Sequence, residues 1–520
     1  MAMLKYSVIP KPVRYDAKET TVEISTKTAV LCSEEFVSVG QFLTSYLKTN
    51  PEEGSNAIRI KKVNGIAEEG YALYTENGDV YIKASTEKGA FYAAVTLKWI
   101  LLQSPKSGGK ATVSGFFIED KPKYSHRGIL LDVSRHFYGV DTVKRLLDNM
   151  SMLKMNVFHW HLCDDQGYRI ESKAFPLLNE IGSVRERDSL KIINSSDEEK
   201  PYGPYFYTFD EIKSVVEYAK SLHIAVIPEI DIPGHSSEFV ASYPELGCVD
   251  EKVTTASTYG VKPNLLNPAK ENTYEFLSAL FDEVCPLFPD NRFHIGSDEA
   301  VYGQWKNNEE IQAFMKEQGI SDEKHLQIYF INRVNKLLAS KGKQTLAWSD
   351  CVEDEVDKDV VCQLWRITDK AKIIRQPFPR QTIVSLTNHF YFDYRHTALP
   401  IGKVYTFNEK ALKLQGDKIN VKGIECTLWT ENITTDAALE CGIYPRISAL
   451  AEVGWTSLDN RNYTDFKRRL KFYKLMLESR NINYYRPKNP PFGWWLGNIY
   501  SMGENGKDYK RNEKKKEKGR

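Results

Sequence analysis

From Arg127 onward the chain repeats one pattern: a short apolar run of strand length, then a segment with helical periodicity. This repetition constrains the fold more than any other feature. A strand that is followed by a helix returns parallel to its predecessor, so the pattern demands a parallel sheet. The candidate strands are Gly128–Val133, Val157–Leu162, Ala225–Ile230, Phe293–Gly296, Thr345–Trp348, Val360–Trp365, Thr382–Leu386 and Gly423–Trp429. Helical segments are expected at Asp141–Lys154, Phe209–Leu222, Asn272–Leu287 and Glu323–Ser340. Eight units over roughly 350 residues fit a (β/α)8 TIM barrel of the α/β class. The other architecture, an open doubly wound sheet, lacks support because no G-x-G-x-x-G follows any of these strands. Tyr391–Lys422 reads as an extended loop insertion between the last two strands.

The preceding residues have a different texture. Ala57–Val63 and Tyr71–Lys83 read as strands, the second folded at the turn Glu76-Asn77-Gly78-Asp79. Val37–Lys48 and Lys88–Leu102 are amphipathic and helix-like, and Ser104–Lys110 reads as a loop. The expected organisation is a small α+β domain over 1–120, a barrel over 121–485 and a C-terminal extension over 486–520. After the barrel come a helix at Tyr463–Arg480, a Pro/Trp-rich segment at Pro490–Gly497 and a tail, Lys507–Arg520, expected to be solvated and disordered.

Charge narrows the class of partner. Lys plus Arg is 70 and Asp plus Glu is 69, a net charge of +1, which disfavours binding to nucleic acid by bulk charge. No run approaches the ~18–20 apolar residues of a membrane span. The 8 cysteines form no C-x-x-C pair, and Cys362 and Cys426 lie in apolar runs as small buried hydrophobes. The stretch MAMLKYSVIPKPVRYD has no apolar h-region. The chain is therefore expected to be cytoplasmic, or periplasmic or secreted if a leader was removed.

In a (β/α)8 barrel the active site lies at the C-terminal ends of the strands. Those ends carry Asp132 and Arg135; His159, His161, Asp164 and Asp165; Glu229, Asp231 and His235; Asp298 and Glu299; Trp348 and Asp350; Trp365; Tyr391 and Asp393; and Trp429 and Glu431. Acids between indole walls suggest glycoside hydrolysis. That reaction needs an acid with a raised pKa to protonate the leaving oxygen. The adjacent pair Asp298-Glu299 is the best candidate, because neighbouring carboxylates repel. A retaining pair, however, sits ~5–5.5 Å apart on opposite sides of the scissile bond. Neighbours on a strand point to opposite faces, so this pair does not supply a nucleophile.

At this point the motifs speak together. In RGILLDVSRHF (Arg127–Phe137), KMNVFHWHLCDDQGYR (Lys154–Arg169), IPEIDIPGH (Ile227–His235), HIGSDE (His294–Glu299) and TLWTE (Thr427–Glu431) the chain resembles glycoside hydrolase family 20, the β-N-acetylhexosaminidases. The resemblance runs from about Ile9 to about Trp455. It implies a small domain before the barrel and an exo-acting enzyme on terminal β-linked N-acetylglucosamine or N-acetylgalactosamine. It also implies substrate assistance: the sugar's own 2-acetamido oxygen attacks, through an oxazolinium intermediate, which answers for the missing nucleophile.

By the same resemblance Glu299 is the general acid and then base, and Asp298 holds the acetamido N–H. Tyr391 bonds the acetamido carbonyl, and Trp348, Trp365 and Trp429 wall the sugar. Arg135, Asp393 and Glu431 grip distal hydroxyls, and Asp164 and His235 support the acid. It implies no metal and no cofactor, and a glycan or oligosaccharide as the partner. Ser297 stands where the family usually has Gly. Two rivals remain. One is a metallohydrolase using His159, His161, His235, His294 or Asp298. The other is release of a disaccharide by a lacto-N-biosidase-like enzyme with a more open pocket.

Overall fold

The computed structural model describes residues 6–487 apart from 53, 188–189, 191–199, 415 and 417–418. The stretches Pro490–Gly497 and Lys507–Arg520 lie outside the described residues. Two sheets organise the rest, one of seven strands and one whose eight parallel strands close on themselves.

The first sheet holds the expected hairpin, Tyr71–Glu76 paired antiparallel with Asp79–Ala84. Asn77 and Gly78 both have positive φ, as a two-residue turn of this hand requires. Three strands escaped the sequence reading: Arg14–Ile24 and Lys110–Asp120, which pair with each other, and Ala29–Cys32, which pairs with Ala57–Lys62. The first runs R-Y-D-A-K-E-T-T and is mostly exposed at the sheet edge, so it has no apolar alternation to read. Ser104–Lys110 is not a plain loop either. Lys106–Ser107 folds back on Lys110 and Ala111 through Gly108-Gly109, both at positive φ.

Helix Glu87–Gln103 joins this sheet to the barrel. Its N-cap Thr86 accepts the Gly89 N–H, and Trp99 donates from Nε1 to the Met152 carbonyl at 2.8 Å. A buried polar knot lies beside that contact. Lys154 Nζ, fully buried, is 3.0 Å from Asp120 Oδ2 and donates to the Tyr71 hydroxyl at 2.7 Å. Trp455 Nε1 donates to the other Asp120 oxygen at 2.8 Å. Arg127 adds an ion pair with Glu69 at 2.7 Å.

The barrel strands are β1 (His126–Asp132), β2 (Val157–Asp164), β3 (Ala225–Ile230), β4 (Arg292–His294), β5 (Gln344–Trp348), β6 (Val361–Leu364), β7 (Arg380–Val384) and β8 (Ile419–Leu428). β8 pairs parallel with β1 and closes the ring. All eight expected strands are present, so the (β/α)8 barrel stands. The stretch Tyr391–Lys422 is not wholly a loop. It carries the short helix Ile401–Tyr405, too brief to show a period, packed on Arg446–Trp455. The helix Phe209–Ser221 starts with a capping box in which Thr208 and Glu211 bond each other's backbone. Among the described residues no helix is long and apolar enough to cross a membrane.

Alternate residues of each strand point into the barrel, and they change character along its axis. Val157, Ile227, Leu346, Val361 and Ile383 form an apolar layer at the lower end. Two residues further along each of those strands come His159, Glu229, Trp348, Gln363 and Ser385, all buried. Glu425 on β8 reaches into the same layer because Gly128 on β1 leaves room. A Cβ there would lie 2.3 Å from Glu425 Oε2. The barrel core is thus oily below and charged toward the site.

Candidate active site

The charged layers are knitted by hydrogen bonds that lead upward. Glu425 contacts His126 Nε2 at 2.7 Å and His159 Nδ1 at 2.8 Å, and accepts from Gln363 Nε2 at 2.7 Å. Glu229 contacts His161 Nδ1 at 2.6 Å and His294 Nδ1 at 2.9 Å, and accepts from the Trp348 indole at 2.9 Å. His161 Nε2 then meets Asp164 at 3.0 Å. Burial alone would lower the His161 pKa, but Glu229 and Asp164 raise it to about 10. His159, between Glu425 and Glu229, is raised to about 9 against the same penalty.

At the top, Asp164 is the hub. It pairs with Arg135 at 2.5 Å and meets His235 Nδ1 at 3.1 Å. Arg135 also reaches Asp132 at 3.2 Å and donates to Gln166 at 2.8 Å. Its guanidinium lies 5.2 Å from the Trp429 ring centre. His235 Nε2 is 4.0 Å from Asp298 Oδ2 and 4.0 Å from Glu299 Oε2.

The expected divergence of Asp298 and Glu299 along a strand is corrected here. β4 ends at His294, and Gly296, Ser297 and Glu299 all take positive φ. This left-handed bend brings both carboxylates to the same imidazole, with one oxygen of each and His235 all within 4.8 Å of one another. Gly296 is required, since a Cβ would lie 1.9 Å from Asp231 Oδ1. Ser297 has the same hand of backbone at a cost of about 1–2 kcal/mol. Asp231 holds its N–H at 2.8 Å, and Gln327 donates to its carbonyl at 2.8 Å. The Glu299 N–H is held by Asp350 at 2.9 Å.

An aromatic box stands beside the pair. Trp348 and Trp429 have ring centres 5.9 Å apart, and Tyr391 lies 6.3 Å from both Trp365 and Trp429. Trp365 is fixed through its indole N–H to Asp350 at 3.0 Å. All eleven residues singled out from sequence therefore collect at one end of the barrel, following all eight strands. Asp132, Asp165, Glu229, Asp231 and Asp350 were placed at the rim by sequence without a role, and each turns out to hold a neighbour. Gln166 lay inside a quoted motif but was given no role, and Gln327 carried no signal, being an ordinary polar residue on a helix.

Residues 124–458 match the family model described as glycosyl hydrolase family 20, catalytic domain, and residues 5–121 match that family's domain 2. The chain belongs to glycoside hydrolase family 20. A β-hexosaminidase of Porphyromonas gingivalis is 33% identical over 92% of this chain, which spans 64% of that relative's length. A β-hexosaminidase of Vibrio furnissii is 32% identical over 86% of this chain and 76% of its own. Among solved structures, an exo-β-N-acetylglucosaminidase from Vibrio harveyi in complex with N-acetylglucosamine superposes with a TM-score of 0.84 at 30% identity, covering 94% of this chain and 80% of that one.

In this family 20 member the carboxyls are far from uniform. Burial, with Asp350 and Glu299 adding to it, pushes Asp298 up to about 7 against the pull of His235. Repulsion from Glu299, the cause expected from sequence, comes after burial and Asp350. Burial and Glu431 push Asp393 up to about 8. Asp298 Oδ1 and Asp393 Oδ1 are buried without a hydrogen-bond partner among the described residues. Each is a ready acceptor, or a donor when protonated. His235, Asp298 and Glu299 could in number and spacing bind a metal ion. Asp164 and Asp165 raise His235 above its usual pKa, against burial.

Proposed function

We propose that the chain is an exo-acting β-N-acetylhexosaminidase that removes terminal β-linked N-acetylglucosamine or N-acetylgalactosamine from glycans with retention. The observation that carries this reading is the placement of Asp298 and Glu299 side by side against His235, next to a box of aromatic rings. A carboxylate nucleophile would have to face the acid across the sugar. Asp393 is a weak candidate for that part, because at about pKa 8 it is protonated near neutrality. The substrate's own acetamido oxygen fills the role.

In the first step Glu299 gives its proton to the glycosidic oxygen, the acetamido carbonyl oxygen bonds to C1, and the bond from C1 to the leaving oxygen breaks. Asp298, as carboxylate, accepts the acetamido N–H and balances the positive charge that grows on the closing ring. Tyr391 steadies the carbonyl, and Trp348, Trp365 and Trp429 shape the box to the acetamido group and sugar face. In the second step Glu299 takes a proton from water, the water oxygen bonds to C1 and the ring reopens. Arg135, Asp393 and Glu431 would close the far end on the hydroxyls of a single terminal sugar, which makes the action exo. The Vibrio harveyi structure, described as an exo-enzyme, supports this.

Digestion of tetra-N-acetylchitotetraose tests the reading. N-acetylglucosamine and the trisaccharide should be the first products. Disaccharide alone as the first product would overturn the single-sugar pocket, and a β-glucoside cleaved as fast as the N-acetylglucosaminide would overturn the part given to the acetamido group.

A further inference from the structure

The bend that carries the acid pair is costly to hold. Ser297 and Glu299 both take left-handed backbone, with φ of 69° and 49°, which their side chains disfavour. Such backbone persists where the surroundings over-determine it. Asp231 accepts the Ser297 N–H at 2.8 Å, and Asp350 accepts the Glu299 N–H at 2.9 Å. Both grip the start of the segment. A third hold spans it from one end to the other.

Gln327 lies on the helix Glu323–Ser340, which Asp322 caps and which packs on β5. Its side chain is buried, and its amide bonds to both ends of residues 297–302. Nε2 donates to the Ser297 carbonyl at 2.8 Å and to the Ser297 hydroxyl at 3.3 Å. Oε1 accepts from the Tyr302 hydroxyl at 2.5 Å. The direction of the amide is forced. A carbonyl can only accept, so the NH2 group must face Ser297, and the oxygen is left for Tyr302. The Tyr302 ring is held as well, its centre 5.5 Å from that of Trp305 and its plane 16° from parallel. Trp305 is itself buried and donates from Nε1 to the Leu266 carbonyl at 3.1 Å. Asp298 and Glu299 therefore stand on a loop stapled across its base by one glutamine.

The two acids depend on that staple unequally. Asp298 follows Ser297 directly, and Asp231 still holds Ser297 when Gln327 is lost. Glu299 stands farther along, its side chain 41% exposed, and the backbone beyond it is anchored through Tyr302. We infer that Gln327 is a positioning residue for Glu299: by tying Ser297 to Tyr302 it sets where the acid meets the leaving oxygen. The inference rests on Glu299 being the general acid. Gln327 does no chemistry itself, since both of its polar atoms are engaged with the loop. A displacement of about 1 Å in a reacting group can cost ~10²-fold in rate, so a buried amide on a neighbouring helix can govern a proton transfer it never touches.

The test compares wild type, Gln327→Met and Tyr302→Phe on two N-acetyl-β-glucosaminides. Gln327→Met keeps the length of the side chain and removes both bonds, whereas Tyr302→Phe removes one. The 4-methoxyphenyl glycoside has a phenol that leaves poorly and needs the acid. The 3,4-dinitrophenyl glycoside leaves well without a proton. Gln327→Met should lose at least about tenfold in kcat/KM on the first, part of the ~10²–10⁴-fold that a placed acid supplies, and less than about threefold on the second. Tyr302→Phe should give a ratio of the two rates between those of wild type and Gln327→Met. That ratio does not depend on how much of a variant is folded. A glutamine needed for stability alone would leave it at the wild-type value, which would overturn the inference. A wild-type ratio in Tyr302→Phe beside a shifted one in Gln327→Met would overturn the tie through Tyr302. Glu299→Gln is measured alongside. If it loses equally on both glycosides, Glu299 is not the acid, and the assigned mechanism fails together with the inference.

Discussion

Asp350 holds three parts of the site at once: the Glu299 N–H, the Trp365 indole and, at 3.4 Å, the Arg366 guanidinium. It also adds to the burial that raises Asp298 to about 7. If Asp298 must be ionised to balance the closing ring, kcat/KM should fall as pH drops below about 7. Asp350→Asn keeps an oxygen for the Glu299 N–H but removes a charge, so the acidic limb should move to lower pH. An unmoved limb would mean that Asp298 does not set it. Stability should run the other way. A carboxyl raised in the fold binds its proton more tightly there than in the unfolded chain, whose value is about 3.9. Its contribution is present below that value and is lost as pH rises to about 7. Thermal melts of Asp298→Asn should therefore be less pH-dependent than wild type across that window. The acids and indoles themselves were legible because they sit in long motifs. The role of Asp350 was not, since it depends on a backbone bend that no periodicity announces.

At the scale of elements, the strands were legible wherever an apolar run had turn residues at its ends. His159 and His161, two apart on β2, share a face, and both contact Glu229. What failed was the geometry past a strand's end. β4 is three residues long, and the bend after it reverses the expectation for Asp298 and Glu299. Of the polar layer inside the barrel, Gln363, Ser385 and Glu425 were missed, because a polar residue on a strand reads as an interruption of its apolar pattern. That layer supports a prediction about β8. Glu425→Ala leaves His126, His159 and Gln363 without their acceptor and should cost about 3–5 kcal/mol in urea unfolding. Glu425→Gln keeps an oxygen and should cost less. Equal costs would show that the side chain matters for its volume rather than its bonds.

Across the whole molecule, the small domain and the barrel meet at Asp120, Lys154, Tyr71 and Trp455. Lys154→Met should lower stability by about 3–5 kcal/mol, because Asp120 is then a buried charge without its partner. Pairing it with Asp120→Asn should recover a large part of that loss. Additive losses in the double variant would argue that the pair is not one unit. The eleven site residues span Arg135 to Glu431. The first of them leans on the ring of Trp429, and Asp132 accepts the Thr430 N–H at 3.0 Å. The first and last strands thus complete each other. A chain emerging from the ribosome can show no turnover until the segment through Glu431 has left the exit tunnel and β8 has docked on β1. In a synchronised translation, activity should lag the synthesis of Glu299 by the time needed to make and release the rest of the barrel.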